Sequence, residues 1–197
     1  MELPLAAIVL FAFATSITPG PNNIMLAASG VNFGFARTLP HLLGVSAGFA
    51  LLTVLCASGL GAFILAVPAA HLTLKVLGSA YLVYYAWQLR AISFDGRDAA
   101  NAAPMSFAAA VLFQFANPKA WVMAVTGAAA FMPSASPVAP AALMLSAVLA
   151  AVNLPCIAAW AMLGALLRSL LTDPVRLRLF SGLLVALTIY SAVAIWM

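Results

Sequence analysis

Charge is what this sequence has least of. Its 197 residues include 8 Lys and Arg and 4 Asp and Glu, 6% in all, where soluble domains carry roughly 25%. Too few polar side chains remain to cover a globule in water, and a soluble domain is excluded. Acidic residues are missing from every long apolar run. Histidine and cysteine number two each. His41 and His71 sit on separate segments, and neither a metal cluster nor a nucleophile with its base can be assembled. Cys56 and Cys156 lie inside apolar stretches with no CxxC spacing and read as small packing residues. Enzyme chemistry, metals and cofactors are therefore not expected. The net charge of +4 is dispersed into short loops, a placement that fits membrane orientation and not a nucleic-acid partner. Met1 to Pro4 lack the basic start of a cleaved signal peptide, so the first helix is expected in the mature chain.

What the chain does have is apolar length: 66% of residues are hydrophobic and the mean hydropathy is +1.15. Runs of about 20 residues, each able to cross a hydrocarbon core, predict an all-α integral membrane protein with six transmembrane helices and one domain over residues 1–197. The segments fall near residues 5–30, 40–67, 72–91, 105–132, 140–167 and 179–197. Short turns are expected at 31–37, 68–71 and 133–140, with a longer polar stretch at 90–104 that holds Asp95, Arg97, Asp98 and Asn101. Tyr81, Tyr84, Tyr85 and Trp87 fall toward the end of the third segment, where an interfacial aromatic belt is expected. Arg37, Arg90, Arg97, Arg168, Arg176 and Arg178 fill the odd-numbered loops, against Lys75 alone on the other side. The positive-inside rule makes the odd loops cytoplasmic and puts both termini outside.

Two of the six segments are interrupted. In Thr18-Pro19-Gly20-Pro21-Asn22-Asn23 the two prolines lack the N–H groups that the carbonyls of Thr15 and Ile17 would need, and Gly20 loosens the backbone between them. About a hundred residues later Asn117-Pro118-Lys119 breaks the fourth segment at a comparable depth. Freed backbone groups at membrane depth are tolerated where protein or a watery cavity satisfies them. Each break opens a three-helix half, at about 1–100 and 101–197, and three being odd, the halves have opposite orientation: a 3+3 inverted repeat with broken helices 1 and 4, the plan of many secondary transporters.

The residues at the breaks define the expected substrate. Lys119 is the one charged side chain placed deep in a span, a costly position that marks function. An ammonium beside a half-helix N-terminus is a natural carboxylate receptor. Asn22, Asn117, Thr18 and Gln114 add donors and acceptors, and the carbonyls near Thr15, Ile17 and Gln114 are expected to take an α-ammonium. The predicted substrate-binding set is Thr18, Pro19, Gly20, Pro21, Asn22, Gln114, Asn117, Pro118 and Lys119. With no carboxylate in the membrane to balance a cationic side chain, a small neutral amino acid fits best. Asn153 and Pro155 stand open between cavity lining and packing. Gly30/Gly34 and Gly44/Gly48 have the small-xxx-small spacing of helix contacts, and small-residue faces would also allow a homodimer. His41 reads as an interfacial polar residue, with a proton role as the alternative.

Thr18-Pro19-Gly20-Pro21-Asn22, Asn117-Pro118-Lys119-Ala120-Trp121 and Leu77-Gly78-Ser79-Ala80-Tyr81-Leu82 together resemble the lysine-exporter (LysE/RhtB) family of bacterial amino-acid exporters, over nearly the whole chain. Gly44-Val45-Ser46-Ala47-Gly48-Phe49 and the run through Cys56 are most similar to its cysteine/O-acetylserine exporter branch. The resemblance implies efflux of an amino acid such as cysteine, O-acetylserine, threonine or homoserine from a multi-pass protein of the bacterial inner membrane, driven by protons. Without membrane carboxylates, a coupled proton falls to Lys119, His41 or the substrate, or transport is facilitated only. The competing class is a small channel or structural membrane protein, which predicts no saturable, selective flux.

Overall fold

The structure, a computed structural model, describes residues 4–89, 103–133 and 138–197. Glu2, Arg90, Asp95, Arg97, Asp98, Asn101 and part of the turn at 133–140 lie outside the described residues. Among the described residues the chain is all helix: α1 (Leu5–Ile17), α2 (Pro21–Phe33), α3 (Phe35–Ala57), α4 (Leu60–Ala66), α5 (Pro68–Leu89), α6 (Phe107–Ala116), α7 (Pro118–Phe131), α8 (Val138–Leu167) and α9 (Pro174–Ala194).

Both sequence breaks are real breaks. Thr18 and Gly20 are extended, and α1 and α2 meet at 57°. Asn117 alone is non-helical between α6 and α7. Pro21 and Pro118 each start the following helix, at the position where a missing N–H costs nothing. Pro40 and Pro155 do not break α3 and α8; a lone proline costs one ladder bond, and packed neighbours keep the helix running. The second segment therefore starts earlier than expected, at Phe35, and ends at Ala57, where Gly59 at φ 112° redirects the chain into α4. Residues 68–71, expected as a turn, are the first turn of α5.

By length and apolarity α3, α8 and α9 can each cross a membrane, and the bent α1–α2 pair makes a fourth span if counted as one. α5 has 22 residues but carries His71, Lys75 and three tyrosines, and α6 and α7 reach span length only together. Large apolar side chains point outward on α1, α5, α8 and α9, among them Leu10, Phe13, Leu166 and Leu179, the arrangement that lipid favours. The centre is α2, buried from Asn23 to Val31. It packs along α8, and α3 packs along α6. Glycines allow both approaches: a Cβ on Gly30 would strike the backbone of Ala161, one on Gly164 that of Ala27, and one on Gly44 that of Phe107. The small-residue faces are thus used within the chain. The aromatic cluster divides likewise: Tyr84 and Trp87 are exposed, while Tyr81 packs on Phe113 at 4.6 Å.

Candidate functional site

At the first break every carbonyl from Thr15 to Pro19 has a side-chain donor. Thr18 Oγ1 donates to Thr15 O (3.0 Å), and Trp160 Nε1, from α8, donates to Ile17 O (3.0 Å). Asn23 Nδ2 donates to both Ser16 O and Thr18 O, each at 2.8 Å. Lys119 Nζ donates to Thr18 O (2.6 Å), Thr18 Oγ1 (3.0 Å) and Pro19 O (3.4 Å). An unpaired carbonyl in lipid costs several kcal/mol, and the protein supplies the partners itself. The carbonyls of Thr15 and Ile17, expected to take an α-ammonium, each already accept one side-chain hydrogen bond from within the chain. Gln114 O is likewise taken, by the N–H of Asn117 (3.3 Å).

The second break is closed by its own residues. Asn117 Oδ1 accepts from Lys119 N (3.1 Å) and caps α7, and Trp121 Nε1 donates to Phe115 O (2.9 Å). An amide pair ties the two breaks together: Asn22 Nδ2 donates to Gln114 Oε1 (2.8 Å) and Gln114 Nε2 to Asn22 Oδ1 (3.2 Å). A Cβ on Gly20 would stand 2.6 Å from Lys119 Cδ, so the lysine would have to shift to admit one. The lysine lies across the site of the missing side chain.

Two cavities flank this crossing. One of about 500 Å³, partly open and mainly apolar, is lined by Pro19, Gly20, Pro21, Pro118, Lys119 and Trp121, by Gly61 and Lys75, and by Tyr190 and Ile195 near the end of α9. Its volume lies within the range of small-molecule sites. The other, about 20 Å³, is lined by Ser16, Gly20, Asn22, Asn23, Phe49, Asn117, Lys119, Ala120, Met123, Asn153 and Ile157. It lies at the N-termini of α2 and α7, whose positive dipole ends favour an anion. Gly20 and Lys119 belong to both cavities.

The structure thus brings Thr18, Pro19, Gly20, Pro21, Asn22, Asn117, Pro118 and Lys119 to one place. Gln114 is fully buried and touches the site through Asn22. Asn23, Ser16 and Trp160 were not among the expected residues. Asn23 stands inside the quoted motif; Trp160 has no signal near it in sequence. Asn153 joins the site by donating to Ser16 Oγ (3.0 Å). His41 is buried in α3 and lines neither cavity. Among the described residues no three His, Cys, Asp or Glu come together as metal ligands, and Cys56 and Cys156 are unpaired thiols.

The model of the family described as LysE type translocator matches residues 13–197. Cysteine/O-acetylserine efflux proteins of Escherichia coli (strain K12), of Escherichia coli O139:H28 (strain E24377A / ETEC) and of Shigella flexneri serotype 5b (strain 8401) are each 34% identical to this chain over 194 residues, 98% of this chain and 97% of theirs. No solved structure matches.

Proposed function

The chain belongs to the LysE type translocator family, and from that premise we propose that it exports a small neutral amino acid, cysteine or O-acetylserine, across the bacterial inner membrane. It is a translocator and not an enzyme. The observation that carries the substrate class is the position of Lys119, whose ammonium reaches the broken first helix at the shared wall of the two cavities. A substrate carboxylate docks there, on Lys119 and the N-termini of α2 and α7, and the substrate side chain occupies the larger, apolar cavity.

The packing supports six spans in two inverted halves. With α1–α2 as the first span and α6–α7 as the fourth, span one packs on span five (α2 on α8) and span four on span two (α6 on α3). Exchanging the halves turns one contact into the other, while the pairs α3–α8 and α5–α9 map onto themselves. With the basic loops cytoplasmic, the larger cavity, which reaches Lys75 and Ile195, belongs to the outer half of the membrane. The structure is then an outward-facing stage of the cycle. Coupling to protons proceeds without a membrane carboxylate, through Lys119, His41 or the substrate.

The test is efflux from cells loaded with labelled cysteine, O-acetylserine, threonine, leucine and lysine, for wild type and Lys119→Ala. Efflux of cysteine or O-acetylserine that falls at least about tenfold in the variant is expected, since a charge-assisted contact contributes about 1.5–3 kcal/mol. Equal efflux by both would remove Lys119 from the binding site. No selective efflux by the wild type would leave a channel or structural role.

A further inference from the structure

The larger cavity has a second cation that the carboxylate site leaves unused. Lys119 Nζ donates to oxygens of Thr18 and Pro19. Lys75, half-buried on α5, lines the same cavity, and among the described residues its ammonium makes no hydrogen bond or ion pair. It faces the Trp196 ring, 5.8 Å from the centroid, a cation–π contact that leaves its N–H groups unspent. The ring is itself held in place: Trp196 Nε1 donates to Ser79 Oγ (2.9 Å), and Ser79 Oγ to Ala192 O (3.3 Å). A Cβ on Gly78 would strike Ala116 O and stand 3.6 Å from Pro118 Cδ, so that face of α5 lies against the second break. Lys75, three residues earlier on the same face, meets the cavity within a turn of that contact.

Charge narrows what such a group can meet. Among the described residues that line the cavity, the charged side chains are Lys75 and Lys119, and no Asp or Glu balances them. The rest of the wall is mainly apolar, and a cleft of one sign with low-dielectric walls attracts opposite charge and repels like charge more strongly than bulk water allows. With the substrate carboxylate on Lys119, Lys75 is left to meet the far end of the side chain. We propose that Lys75 is a specificity-determining residue: it donates to an acceptor at the end of the substrate's side chain, most strongly to an anionic one, and turns a cationic one away. Trp196 positions its ammonium. The assignment rests on the export reading above, in which the side chain occupies this cavity. The acetyl carbonyl of O-acetylserine is an acceptor of this kind.

The experiment is displacement of labelled cysteine from the purified protein in mixed micelles, where both faces are open to ligand. The displacers share the cysteine backbone and differ at the end of the arm. S-carboxymethylcysteine is anionic, S-carbamoylmethylcysteine is its neutral isostere and S-(2-aminoethyl)cysteine is cationic. The readout is the ratio of half-displacing concentrations for wild type, Lys75→Gln and Lys75→Glu. Wild type should favour the anionic arm over the neutral one by about tenfold, the gain when both partners of a hydrogen bond are charged, and take the cationic arm last. Lys75→Gln should bring the anionic and neutral arms together, and Lys75→Glu should put the cationic arm first. Equal displacement by the anionic and neutral arms in wild type overturns the assignment whether or not the variants fold. So does the wild-type order persisting in Lys75→Gln, because Lys119 would then set the preference. In either case selective efflux in the test above keeps the exporter reading standing. Absence of cysteine binding by wild type defeats that reading and this inference with it.

Discussion

The two helix breaks do the same job by different means. The first extends over Thr18 to Gly20, bends the span by 57° and depends on donors from elsewhere: Asn23 in α2, Lys119 in α7 and Trp160 in α8. The second is one residue long, and Asn117 both closes α6 with its N–H and caps α7 with its side chain. Two prolines around a glycine strip out too many ladder bonds to be repaired locally, whereas one proline at a helix start strips out none that was needed. The open break must therefore be held by its surroundings, and anything that changes those surroundings can move it. The closed break is a fixed post, from which Lys119 reaches across. This asymmetry leaves the Lys119 ammonium donating to the carbonyls of Thr18 and Pro19 across the gap between the two breaks.

The comparison predicts unequal sensitivity. Asn23→Leu removes the one donor of Ser16 O and one of two donors of Thr18 O. Leaving a buried carbonyl unpaired, together with the lost bonds, is expected to destabilise the protein by about 3 kcal/mol. Asn117→Ala removes a cap, for about 1 kcal/mol. Unfolding of both variants in mixed micelles measures the difference. A larger loss for Asn117→Ala would mean that the second break is not self-sufficient.

A smaller effect is expected where the breaks are tied together. Asn22→Leu and Gln114→Leu each orphan the partner amide, and the double variant removes both, so the pair should show a coupling of about 0.5–1.7 kcal/mol in a double-mutant cycle. Additive losses would show that the two amides, 2.8 and 3.2 Å apart in their paired atoms, do not couple the halves.

Local chemistry decided how much of this was legible in sequence. Pro19, Pro21 and Pro118 announce their breaks because a missing N–H is a property of the residue itself, and Lys119 stands out because a charge at membrane depth is rare. Pro155 carries the same local signal and yet α8 runs through it, since packing against α2 and α1 decides that outcome. The carbonyls freed at Thr15 and Ile17 were correctly identified as needing partners, but Trp160 lies 143 residues from Ile17, and nothing in the sequence joins them. Asn153 and Ser16, 137 residues apart, form the same kind of pair. Sequence shows which groups are in need, and the fold shows which groups answer.

The smallest expected effect separates a buried cap from an exposed one. Asn117 caps α7 as a buried neutral amide. Asp173, fully exposed ahead of α9, caps as a carboxylate that accepts from the N–H groups of Val175 (2.8 Å) and Arg176 (3.0 Å). The backbone N–H of Arg176, then that of Val175, hold its carboxyl below the usual carboxylate range. Because the folded value lies below the unfolded one, the stabilisation is complete above the ordinary carboxylate range and disappears as pH falls through the folded value. Asn117 has no proton to gain and contributes no such dependence. Asp173→Asn keeps the geometry of the cap without its charge, so the variant should be slightly less stable than wild type at neutral pH and indistinguishable from it in strong acid. Unfolding midpoints for the pair across that range give the measurement. If the gap between them stays constant with pH, Asp173 caps α9 through geometry alone, as Asn117 does for α7, and the two caps differ in location but not in kind.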